Sequence, residues 1–207
     1  RDVEKKDLPA LKAIINESWR VERLIKNEST LEAALGIHLN QLLHSSTFGR
    51  VAVLDDKVIG FILGSLTGEI PKYRLIQEVD SASYALDLLT AAEDEITNLT
   101  EFMSKTFQTY GQLIHNRKED YDGYVEFFVV SEEARGLKIG KKLMDELFNY
   151  FQSHKAKSIY LYTDTSCNFG FYDYNGFTQR ASQEITFDLT IGQEESTVFL
   201  YDYQLNH

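Results

Sequence analysis

From Tyr124 to Val130 the chain is apolar at every position except Glu126. A strand without polar alternation must be covered on both faces, so it belongs in the middle of a sheet with helices against it. The turn Arg135 to Gly140 follows, holding Gly136 and Gly140, and then an amphipathic helix with Leu143, Met144, Leu147, Phe148 and Phe151 on one side. Strand, glycine turn and helix in direct succession restrict the chain to a layered α/β or α+β design.

The remaining elements follow from periodicity. Asp7 ahead of Leu8, Pro9, Leu11, Ile14 and Ile15 predicts a capped helix. A second helix is expected to begin after Ser29 or Thr30 and run to about His44. Arg50 to Leu54 and Lys57 to Leu66 are β-rich runs joined by Asp55-Asp56, a hairpin signal. Between Glu69 and Asp122 the pattern turns helical, with Leu89, Ile96, Met103 and Tyr110 spaced seven apart and Leu86, Leu99, Phe107, Leu113 and Ile114 beside them. One long helix or a helical pair is expected there. The stripe Met103, Phe107, Tyr110 and Ile114 reads as core or a homodimer seam rather than a ligand box. Ser158 to Thr163 is a further strand, Ser166 to Asn175 a short helix closed by Gly176, and Phe177 to Leu189 and Thr197 to Leu205 two final strands. The expected fold is one domain over 1–207, with a central mixed, mostly antiparallel sheet flanked by helices. A helical insertion, 70–122, falls between the third and fourth strands, counting Arg1 to Val3 as a trimmed first strand.

Composition excludes several classes of function. Lys and Arg number 21 against 32 acidic residues, a net charge of -11. That charge repels nucleic acid and anionic membranes and mildly favours a cationic partner. The longest apolar run, Val58 to Gly64, is too short to span a bilayer. No hydrophobic leader opens the sequence, and its one cysteine, Cys167, cannot form an internal disulfide, so a cytoplasmic protein is expected. The five histidines show no ligand spacing with cysteines or acids, so no metal is expected. Trp19 reads as packing, with a substrate-pocket wall as the alternative.

Arg135, Lys138, Lys141 and Lys142 place four cations in eight residues of an acidic chain, at a glycine turn opening a helix. Backbone N–H groups and a helix start suit a pyrophosphate there; an ordinary turn with a solvated basic face is the alternative. Downstream, Asn168, Phe171-Tyr172 and Gly176-Phe177 form a second constellation. Together the two segments resemble the GNAT superfamily of N-acetyltransferases. That family's acyl-CoA loop, Arg/Gln-x-x-Gly-x-Gly/Ala, matches Arg135, Gly136, Leu137, Lys138, Ile139 and Gly140, with Lys138 where glycine is usual. Asn168 lies nearer Tyr172 than is usual. The insertion has no counterpart in the family pattern.

The resemblance implies acetyl-CoA as cosubstrate and direct attack by a primary amine, of a small molecule or a peptide, in a ternary complex. It implies a diphosphate at Arg135, Gly136, Lys138, Ile139, Gly140 and Lys141, and a pantetheine arm along Phe128, Val129 and Val130, with Asn168 nearby. Tyr172 matches the general acid. Glu126 is a candidate base, because an acid inside an apolar strand is costly without a reason. Pairing with a lysine or facing the insertion is the bland alternative, and Asp164 is a competitor whose other role is helix capping. Cys167 has no partnering histidine and reads as packed rather than nucleophilic. The rival functions are a CoA-binding regulatory module that has lost turnover and a dimerising scaffold.

Overall fold

The computed structural model describes residues 1–76, 81–134 and 136–205. Two helices open the chain, α1 (Leu8–Trp19) and α2 (Glu28–Ser45). Asn27 caps α2 through bonds from the amides of Ser29 and Thr30, so the helix starts earlier than Ser29. Asp7 precedes α1 but does not cap it; it is buried, gripped by both Arg1 guanidinium nitrogens and bonded to the Glu4 amide.

The hairpin β1 (Phe48–Leu54) and β2 (Lys57–Leu66) turns through Asp55 and Asp56, both at positive φ, as a tight two-residue hairpin requires. The insertion forms a helical pair, α3 (Ser81–Leu89) and α4 (Glu93–Ile114). Then come β3 (Gly123–Val130), α5 (Ile139–Ser153), β4 (Ser158–Asp164), the short α6 (Gly170–Tyr174), β5 (Thr178–Leu189) and β6 (Gly192–Gln204). The six strands lie in the order β1-β2-β3-β4-β6-β5, and only the β3–β4 pairing is parallel. This is the mixed, mostly antiparallel sheet expected. The opening residues contribute only an isolated bridge, Asp2 to Arg50, so the insertion joins the second and third strands of the sheet proper.

Two apolar layers sandwich the sheet. One, including Leu11, Ile15, Leu39, Phe61, Phe127 and Leu200, packs under α1, α2 and α4. The other, including Ile62, Val125, Leu147, Phe151, Tyr172 and Tyr201, packs under α5 and α6. The seven-residue spacing does not carry through the insertion: Leu86 and Leu89 are exposed, because the chain breaks at Thr90 to Ala92 and α4 starts a new helical phase. α3 instead docks through Tyr84, whose ring fills the space over Gly36 of α2 that a β-carbon would occupy.

The last helix and the last strand also start elsewhere than expected. The helix expected from Ser166 begins only at Gly170, since the Ser166 amide and hydroxyl both bond to the Asp164 carboxylate and hold a turn. β6 starts at Gly192 rather than Thr197, because the polar run Gly192 to Ser196 pairs with β5 in an exposed hairpin that periodicity cannot detect.

Candidate active site

The site grows from the one parallel pairing. β3 and β4 are in register only at Gly123–Ile159 and Tyr124–Tyr160, and then they part. The Ser131 amide bonds to the Ile59 carbonyl, so by antiparallel alternation Val129 turns its backbone groups to Phe61 of β2. Phe128 and Val130 turn theirs into the gap. Of the three expected strand residues, those two can serve a ligand lying along β3, whereas the backbone of Val129 is committed to the sheet.

At the end of β3 lies the glycine turn. Gly136 (φ 84°) and Lys138 (φ 58°) are both left-handed, and Lys138 is the residue before α5. Among the described residues, the amides of Gly136, Lys138, Ile139, Gly140 and Lys141 have no backbone acceptor. They sit at the positive end of a fifteen-residue helix, where such donors favour an anion. Gly140 is also tightly packed: a β-carbon there would lie 3.2 Å from the Phe128 ring and 3.4 Å from Phe171. The turn is thereby pinned to the gap on one side and α6 on the other. Lys138 is exposed, and Lys141 pairs with Asp145 at 3.0 Å. Arg135 lies outside the described residues. A lysine in the left-handed region carries a steric cost that glycine avoids. Lys138→Gly should therefore raise stability by about 1 kcal/mol, or about 2–4 °C in Tm; a fall in Tm by calorimetry would show that the lysine stabilises the turn.

Tyr172 is buried beside this turn, its ring against Phe128, Phe171, Phe177 and Tyr201. Gly176 (φ 84°) ends the helix and returns the chain to β5. Burial, then the neighbouring Cys167 and Asp164, push the Tyr172 hydroxyl well above its usual pKa, so it stays a proton donor at neutral pH. Burial and then Asp164 raise the Cys167 thiol as well, keeping it un-ionised and unsuited to nucleophilic attack. Asn168 is exposed, with its carbonyl bonded by the Phe171 amide.

Glu126 occupies an irregularity. The β2–β3 register slips between Leu63 and Gly64, opposite Phe127 and Val125, so Glu126 is the extra residue of a β-bulge. Val125 faces the α5 layer and Phe127 the α1/α2 layer. Glu126 faces the second of these, beside Tyr124 and Tyr160 and near the hydroxyls of Ser65 and Ser45. Burial raises its pKa; the two serine hydroxyls and Lys118 only partly offset this. Glu126 and Tyr172 thus stand on opposite faces of the sheet, with the gap between them.

Residues not expected from the sequence complete the site. Tyr110 of α4 stacks on Tyr162 of β4 at 4.1 Å between ring centres and accepts the Tyr162 hydroxyl bond on its backbone carbonyl at 2.8 Å. Asp164 and Cys167 raise the Tyr110 hydroxyl further after burial, which places the insertion helix beside the Tyr172 pocket. The tyrosines at alternate positions 160 and 162 were the available signal, but their partner on α4 is remote in sequence. Among the described residues, no group of His, Cys, Asp and Glu converges as a metal site, and no helix is long and apolar enough to cross a membrane.

A mixed sheet that opens between two parallel strands, with a glycine turn and helix start at the opening, is the fold of an acetyltransferase. The family model for the acetyltransferase (GNAT) family matches residues 8–177, and the chain belongs to that family. No curated protein matches it. Among solved structures, smu.2055 from Streptococcus mutans superposes with a TM-score of 0.57 at 17% identity, covering 100% of this chain and 98% of that one. A ribosomal-protein-alanine N-acetyltransferase from Brucella melitensis gives 0.55 at 17% identity, covering 99% and 98%. An aminoglycoside 6'-N-acetyltransferase complexed with coenzyme A gives 0.52 at 14% identity, covering 100% and 97%. At these identities the likeness is one of fold.

Proposed function

We propose that the protein is a cytoplasmic N-acetyltransferase that moves the acetyl group of acetyl-CoA to a primary amine in a ternary complex. The observation that carries this is the gap between β3 and β4, with amides that have no described backbone acceptor at one end and Tyr172 at its side. The cosubstrate supplies an activated acetyl thioester. The amides of Gly136, Lys138, Ile139, Gly140 and Lys141 would hold its diphosphate, helped by Lys138 and Arg135. The backbone of Phe128 and Val130 would hold the arm by strand-like bonds, and Asn168 stands near its path. Fixing both reactants makes attack effectively unimolecular. A nitrogen–carbon bond forms as the carbon–sulfur bond breaks; Tyr172 gives its proton to the departing sulfur, and the amine proton leaves on the opposite face, where Glu126 stands. The net acidity of the chain favours approach of a protonated amine.

The Glu126 role has its own test. A base acts as carboxylate, so kcat/KM should fall as pH drops through the raised pKa of Glu126, above the usual 4.5. In Glu126→Gln that acidic limb should vanish and the plateau fall by about 10²-fold or more. An unchanged limb in the variant would assign the base elsewhere. The overall reading is tested by following thiol release from acetyl-CoA across a panel of primary amines; silence with every class would refute it.

A further inference from the structure

On the face of β3 away from Tyr172, α1, α2 and the insertion enclose a cavity of about 420 Å³, within the range of small-molecule sites. Trp19, Phe102 and Phe107 wall it. His38 lines it, is 7% exposed, and has no hydrogen-bond partner among the described residues on either ring nitrogen. Buried polar groups are nearly always partnered, so a ring that lines a cavity with both nitrogens unbonded among the described residues can hydrogen-bond a polar group brought to it. Burial pushes the His38 pKa down to about 4, so near neutral pH the ring offers one donor and one acceptor. The described lining has no Asp or Glu. The several charges of a polyamine or an aminoglycoside would be stripped of water there without a partner, whereas an aromatic ring finds three aromatic walls.

The cavity adjoins the reaction site. Trp19 and His38 lie 5.6 and 6.2 Å from the Phe127 ring, next in sequence to Phe128 at the gap. Phe107 meets Tyr110 edge-on at 6.1 Å, and Tyr110 stacks on Tyr162 beside the opening. The insertion helix therefore carries a cavity wall and a wall of the opening one turn apart. Met103 and Phe107, expected as core or a homodimer seam, and Trp19, expected as packing with a pocket wall as the alternative, line the cavity.

We propose that this cavity receives the ring of an aromatic primary amine, with His38 hydrogen-bonding a hydroxyl or ring nitrogen on it. Only the naming of that amine as the acceptor rests on the acetyl-transfer reading. The probes are tyramine, 2-phenylethylamine and putrescine, titrated calorimetrically into the full chain with and without coenzyme A, alongside thiol release from acetyl-CoA. Tyramine should bind roughly tenfold more tightly than 2-phenylethylamine, as one neutral hydrogen bond allows, and putrescine should bind far more weakly than either. His38→Phe should erase the tyramine preference. Ser104→Trp, an exposed rim residue enlarged into the mouth, should weaken both aromatic amines by at least roughly tenfold, and both variants should bind acetyl-CoA like the parent. A tyramine preference that survives His38→Phe, unchanged binding in Ser104→Trp, or putrescine binding as well as tyramine would overturn the assignment. Tyramine binding with these signatures but without thiol release would leave the cavity standing and remove acetyl transfer. Thiol release with putrescine and no tyramine binding would do the reverse.

Discussion

Replacing Tyr172 by phenylalanine should lower kcat by about 10²–10⁴-fold while leaving the acetyl-CoA Kd within about twofold. The ring makes the packing contacts, against Phe128, Phe171, Phe177 and Tyr201, and phenylalanine keeps all of them. No hydrogen bond of the Tyr172 hydroxyl to another described residue accompanies that packing, so its removal leaves no described partner stranded, and stability should move by less than about 1 kcal/mol. What disappears is a proton that burial and the neighbouring Cys167 and Asp164 hold on the oxygen. The departing sulfur would then leave unprotonated. The check is steady-state kinetics beside calorimetric binding. Equal losses in turnover and cofactor affinity would make Tyr172 a packing residue, and unchanged turnover would remove it from the reaction.

The second large effect is expected at Gly140. Gly140→Asp sets a carboxylate among amides that have no described backbone acceptor, at the start of α5. Two like charges about 4 Å apart near a protein surface oppose one another by up to about 4 kcal/mol, so acetyl-CoA affinity should fall on the order of 10²-fold or more. A β-carbon at this position also presses on Phe128. Gly140→Ala measures that steric part alone and should cost less than about tenfold. With circular dichroism confirming that both variants fold, the difference between them isolates the electrostatic contribution. An aspartate variant that binds acetyl-CoA like the parent would mean the turn holds no phosphate.

Much of the scaffold was legible because its signals are local. The apolar run of β3, the glycine turn, the amphipathic α5 and the Asp55-Asp56 hairpin each follow from a short stretch of residues. The site was legible as a set of types and only partly as an arrangement. That Glu126 faces away from Tyr172 depends on a bulge, and a bulge depends on the partner strand, which no periodicity within β3 records. The commitment of the Val129 backbone to β2 is likewise a matter of register. Lys138 stands out in sequence as a departure from glycine, and its left-handed backbone gives the physical reason glycine is usual there. The place of Tyr110 beside Tyr162, and the enclosure of His38, arise where the insertion folds back on the sheet. Such contacts join residues far apart along the chain.

The most direct measurement is a crystal structure of the chain with coenzyme A. Diphosphate oxygens are expected about 3 Å from the amides of Gly136, Lys138, Ile139, Gly140 and Lys141, with the arm bonded to the backbone of Phe128 and Val130 and the thiol beside the Tyr172 hydroxyl. A diphosphate bound away from that turn, or a thiol on the side of the sheet remote from Tyr172, would contradict this arrangement.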